Sequence, residues 1–175
     1  SFVSVIAARS YDLPSDEEAL RALGDSSLFF EPAYFGARNL CNVVYKTGGI
    51  VQVVSTRGFD DNPDIFYEDT YKKTKKWLDE NELKHERLVL TENKVEQMRR
   101  LEEEFRTRFG VAVNDNLEES IAMAEAMPYL TVLLLNRVYN RDEKLRELKN
   151  LRRIIRVHNL EHARHILADI TRKFN

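Results

Sequence analysis

The chain has 175 residues and a formal net charge of −2, with basic and acidic side chains evenly mixed. That length suits one domain with an ordinary core, and that balance demands neither a nucleic acid nor an anionic membrane as partner. A single cysteine excludes an internal disulfide, and no apolar run approaches the ~20 residues of a membrane span, so the expectation is a soluble cytoplasmic protein.

Phe2 to Ala7 is short, apolar and β-branched, which predicts a strand; a helix over Phe2–Arg9 is the alternative. Ser15 with Glu18 forms a capping-box pattern, predicting a helix to Leu23 that stops at Gly24. Phe29, Phe30, Tyr34 and Phe35 then cluster around Pro32, either as a cap over a pocket or as packing on the main core. A further helix is predicted over Gly36–Lys46. The stretch 12–48 as a whole reads as a small helical cap insertion in a single domain of residues 1–175.

Gly49 to Arg57 reads as a buried parallel strand that ends in Ser55, Thr56 and Arg57. In an open α/β sheet, ligands sit outside the carboxyl ends of the strands, so these three residues are candidates for binding. A long helix follows over Ile65–Asn81, with Tyr67, Tyr71, Thr74 and Leu78 on one side. Its basic run, Lys72, Lys73, Lys75 and Lys76, has the ordinary meaning of a solvated face rather than a nucleic-acid contact.

Glu86–Leu90 is the next strand, and a helix from Val95 is predicted to carry through Phe105 and Phe109 to Gly110. Val111–Val113 is a strand with Asn114 and Asp115 at its carboxyl end. A short helix stops at Pro128, and Leu130–Leu135 is a strongly apolar strand. Asp142–Leu151 reads as a charged helix and Ile154–Val157 as the last strand. The closing helix carries Leu160, Ala163, Leu167, Ile170 and Phe174 on one stripe. Arg152, Arg153, Arg156, Arg164 and Arg172 read as helix-borne and solvated. Strands alternating with helices at this spacing predict an α/β fold with a doubly wound parallel sheet.

The order of strand-end residues resembles the haloacid dehalogenase (HAD) superfamily of phosphatases. It is most similar to cytosolic 5′-nucleotidases of the deoxyribonucleotidase type and to the phosphatase half of polynucleotide kinase-phosphatases. Val53 to Arg57 resembles the second motif of that family, Leu88 to Lys94 the third and Val113 to Glu118 the fourth. Leu133 to Asn140 and Arg156 to Glu161 resemble the closing segments of the nucleotidase branch. The resemblance implies a HAD-like Rossmannoid sheet, phosphate contacts at Ser55, Thr56, Arg57 and Lys94, and Mg²⁺ held by paired acids near Asp115.

The first motif departs from the pattern. The family carries Asp-x-Asp-Gly there, with one aspartate as nucleophile and the other as general acid/base. Sliding the pattern onto the first strand puts Ala7 at the nucleophile and Arg9 at the acid/base. Alanine forms no phosphoenzyme, and arginine stays protonated near neutral pH. Asn114 also stands where the fourth motif has a carboxylate. Two accounts follow: a degenerate first motif, favoured because the first strand is central in the family's sheet, or a true first strand lying before Ser1.

The expectation is therefore a catalytically degenerate domain without a cofactor, binding a macromolecular partner or a nucleotide or nucleic-acid phosphate. The alternative is a working Mg²⁺-dependent phosphatase or 5′-nucleotidase, acting on nucleotides or polynucleotide phosphate ends. Arg9 in the metal position would pair with Asp115 and substitute one fixed charge for the cation.

Overall fold

The computed structural model describes residues 2–5, 33, 35–56, 63–136, 140 and 153–172. Among these, the strands are β1 (Phe2–Val5), β2 (Gln52–Ser55), β3 (Arg87–Leu90), β4 (Phe109–Asn114), β5 (Thr131–Leu135) and β6 (Ile154–Val157). The helices are α1 (Ala37–Lys46), α2 (Pro63–Glu80), α3 (Lys94–Phe105), α4 (Leu117–Ala126) and α5 (Leu160–Arg172). The result is a mixed α/β, Rossmann-like fold in which each ladder is parallel.

Four strands pair in the order β1-β4-β5-β6, and β2 pairs with β3 separately. β1 runs alongside β2, which brings the two sheets together. Parallel strands buried on both faces need apolar side chains on both faces, and the sequence supplies them. Val53, Val111, Val113, Leu133 and Leu135 enter one core with α1, α2 and α5. Val54, Ala112 and Val132 enter a second core with Met98 and Leu101 of α3 and Met123 and Ala124 of α4. The period-two alternation of a strand thus sorts neighbouring residues into opposite layers.

Several sequence expectations need correction. α1 lies inside the cap assigned to residues 12–48, yet Leu40, Cys41 and Val44 are buried in the first core. It is a layer of the domain, because three apolar residues on one face of a helix need a partner surface. The predicted helix over Ser15–Leu23, the charged helix over Asp142–Leu151 and the aromatic residues Phe29, Phe30 and Tyr34 lie outside the described residues. Phe35 is 84% exposed and joins no core.

α3 stops at Phe105 rather than at Gly110, because Arg106 takes the left-handed conformation at φ 51° and its N–H returns to the carbonyls of Glu102 and Glu103. Phe109 and Gly110 belong to β4 instead. On α2, Thr74 and Leu78 are buried as the stripe requires. Its basic run is neutralised in place by i,i+4 partners: Lys72 with Glu68, Lys73 with Asp69, Lys75 with Asp79 and Lys76 with Glu80. No helix among the described residues is long and apolar enough to cross a membrane.

Of the arginines near the chain end, Arg153 and Arg156 are not part of a solvated helical surface, whereas Arg164 is helix-borne on α5. Arg156 belongs to β6, and its guanidinium is held by Asn136 Oδ1 at 2.7 Å, Asn140 Oδ1 at 3.0 Å and the Asn140 carbonyl at 2.6 Å. Arg153 precedes β6 and donates to the carbonyls of Ala124 and Met127, each at 2.8 Å. Those are carbonyls at the α4 C-terminus, where a cation meets the negative end of the helix dipole. Composition shows the arginines but not the carbonyls waiting for them.

Candidate functional site

The described ladders are parallel within each sheet, and the bond from Lys94 after β3 to Glu119 after β4 brings the carboxyl ends of the two sheets to one edge of the fold. β2 ends there in Ser55, which is buried, followed by the exposed Thr56. The Thr91 N–H donates to the Ser55 carbonyl at 2.8 Å and extends the β2–β3 ladder by one step. The chain then turns: the Asn93 N–H bonds to Thr91 Oγ1, and Asn93 Oδ1 accepts from the Glu96 N–H to cap α3. That cap places Lys94 as the first residue of α3, 4% exposed.

β4 delivers Asn114 and Asp115 to the same edge, 1% and 2% exposed. Val5 of β1 stands opposite Val113, so the carboxyl end of β1 is level with this pair. Asn116 caps α4 by accepting from the Glu119 N–H at 3.0 Å. The Glu119 carboxylate is thereby set beside the strand ends, where Lys94 Nζ donates to Oε2 at 2.6 Å. Asn114 Nδ2 donates to the same oxygen at 3.1 Å, and also to the Asn116 carbonyl at 3.1 Å. These acceptors settle the amide's orientation, since turning it over would set Oδ1 against them.

A second clamp holds this loop from the other side. Asn140 Nδ2 donates to the carbonyls of Asp115 and Leu135, both at 2.7 Å. Asn140 in turn accepts from Arg156. The carboxyl ends of β4, β5 and β6 are tied together through one amide and one guanidinium.

Of the sequence candidates, the fold brings Ser55, Thr56, Lys94, Asn114 and Asp115 to one edge. Ala7, Arg9 and Arg57 lie outside the described residues, and so does the expected pairing of Arg9 with Asp115. Glu119, Asn140 and Arg156 were not singled out as site residues by the sequence reading. Glu119 carried a signal, because Asn116 followed three residues later by a glutamate is a helix-start pattern close to a capping box. Asn140 carried none.

Mg²⁺ requires a near-octahedral shell of oxygens, usually from carboxylates and water. Here Asn114 presents an N–H group toward Glu119, and Oε2 of Glu119 already accepts from the Lys94 ammonium. Asp115 is the buried carboxylate at the end of β4. Among the described residues no three His, Cys, Asp or Glu side chains gather in a group that would hold a metal.

Two shifts in protonation lie away from this edge, on α1. Burial pushes the Cys41 thiol up to about 11, and burial followed by the nearby Glu86 carboxylate pushes the Tyr45 phenol up to about 12. A small cavity of about 10 Å³ near Ile50, Gln52, Phe105 and Phe109 is at the amino ends of β2 and β4, opposite the candidate edge. Compared with protein-family models, curated proteins and solved structures, the chain matches none.

Proposed function

We propose that this chain is a HAD-like domain that has lost phosphatase chemistry and serves as a binding or regulatory protein for a macromolecular partner or a phosphorylated ligand. The strand arrangement supports that reading. The two sheets, β2-β3 and β1-β4-β5-β6, meet where β1 lies near β2, and an order β3-β2-β1-β4-β5-β6 across them would suit a doubly wound sheet. In such sheets the crevice forms where the order reverses, here between β1 and β4. Asn114 and Asp115 stand at the carboxyl end of β4, at that reversal.

The observation that carries the proposal is the Lys94–Glu119–Asn114 cluster. Where the resemblance implies paired acids for a cation, an amide and an ammonium both donate to one carboxylate oxygen. Hydrogen-bond donors and a fixed positive charge repel Mg²⁺ and suit an anion. Ala7 and Arg9 fall at the positions where the resemblance implies the nucleophile and the acid/base, and neither performs that chemistry.

Purified protein is expected to release no phosphate from nucleoside monophosphates or an aryl phosphate, with or without Mg²⁺. The buried Asp115 at a strand end is what favours the alternative of an active Mg²⁺-dependent nucleotidase. Turnover that EDTA abolishes, and that Asp115→Asn removes, would reinstate that alternative.

A further inference from the structure

We infer that Glu119 keeps this edge closed to phosphate by supplying the anion itself. The inference rests on the reading of Lys94 as an anion contact. Lys94 Nζ and Asn114 Nδ2 converge on a single point, 2.6 Å and 3.1 Å from Glu119 Oε2. An ammonium and an amide aimed at one oxygen form a receptor for an oxyanion, and the oxygen now in it belongs to the protein.

Access is one-sided. The Lys94 side chain is 3% exposed and that of Glu119 is 28% exposed, so an anion from solvent meets the carboxylate before the ammonium. Phosphate at neutral pH carries up to two negative charges and is repelled until Glu119 leaves. Glu119 is the member able to leave. Its N–H is held by the Asn116 cap, so α4 keeps its first turn while the side chain rotates into water. Departure would leave Lys94 and Asn114 as two buried donors facing one vacated position, which a phosphate oxygen would fill.

Titration with inorganic phosphate, followed calorimetrically, tests this on the intact chain and on Glu119→Ala. The Ala variant is expected to bind phosphate at least about tenfold more tightly, about 1.4 kcal/mol. Adding Lys94→Met to it should remove the gain. Glu119→Gln, which keeps the side chain's shape without its charge, is read the same way and covers the case in which the Ala variant does not fold. Equal affinity in the parent and a folded Glu119 variant would overturn the inference, and so would tighter binding by the parent. If neither parent nor folded variant binds phosphate, Lys94 is not an anion contact. Loss of the pseudoenzyme reading shows separately, as Mg²⁺-dependent turnover by the parent.

Discussion

Replacing Asn140 with alanine should loosen the candidate edge and the fold together. The side chain is 5% exposed and makes three described bonds: to the Asp115 carbonyl, to the Leu135 carbonyl and from the Arg156 guanidinium. Two neutral hydrogen bonds contribute about 1 kcal/mol each, and more if the abandoned carbonyls stay dry. The bond from Arg156 adds about 1 kcal/mol, below the usual charged value, because that guanidinium keeps Asn136 Oδ1 and the residue 140 carbonyl. The sum is about 3 kcal/mol, which for a chain of this size lowers the melting temperature by roughly 6–12 °C. Urea unfolding followed by circular dichroism measures it. Asn140→Asp separates the parts, since it keeps an acceptor for Arg156 but turns an oxygen toward both carbonyls. It should be no more stable than the alanine variant at neutral pH. A loss under about 0.5 kcal/mol for Asn140→Ala, within the range of an ordinary surface change, would refute the clamp. Full stability in Asn140→Asp would refute the assignment of the amide donors.

Two further outcomes are expected at the α1–α5 contact. Gly36 has φ +91°, and a Cβ there would lie 3.0 Å from the Glu161 nitrogen and 3.1 Å from its Cγ, whereas Gly48 at φ +74° faces open space. Gly36→Ala should therefore destabilise by more than the ~1 kcal/mol expected of Gly48→Ala, and denaturant midpoints of the pair check the order. Hydrogen bonds from Asn39, then from Arg164, hold the Glu161 carboxyl below its ordinary 4.5. A depressed folded value means that stability is fully present above 4.5 and is lost as pH falls through the lowered value. Glu161→Gln should flatten that part of the acid-unfolding curve, and an unchanged acid limb would count against the contact.

Much of the architecture was legible because burial imposes periodicity. β6 has the bounds its three β-branched positions, Ile154, Ile155 and Val157, suggested, and β3 and β5 differ only at their first residue. What failed had other causes. Phe105 and Phe109 are four apart, as a continuing helix requires, but Arg106 ends α3 in a conformation that arginine seldom advertises. The strand-end candidates Lys94, Asn114 and Asp115 were legible from their positions, yet their partner was not. Whether a glutamate in the first turn of a helix faces water or a buried lysine depends on how two helices sit on the sheet. Asn140 and Arg156 show the same limit, since their hydrogen bonds reach backbone carbonyls that no side-chain pattern records.

The two core layers also differ in when a growing chain is able to complete them. The layer under α3 and α4 is built from residues between Val54 and Val132, with Ile154 packed at its margin. The other layer needs α1 and α5 together, and Asn39 bonds to Glu161 across 122 positions of chain. Contacts that distant in sequence form late, because a long loop must close before they return any free energy. During synthesis, Leu40 and Val44 emerge more than a hundred residues ahead of α5 and remain without it until Leu160–Arg172 is made. Until then that apolar face is uncovered, and transiently exposed apolar surface is what makes a nascent chain prone to aggregation or open to a chaperone.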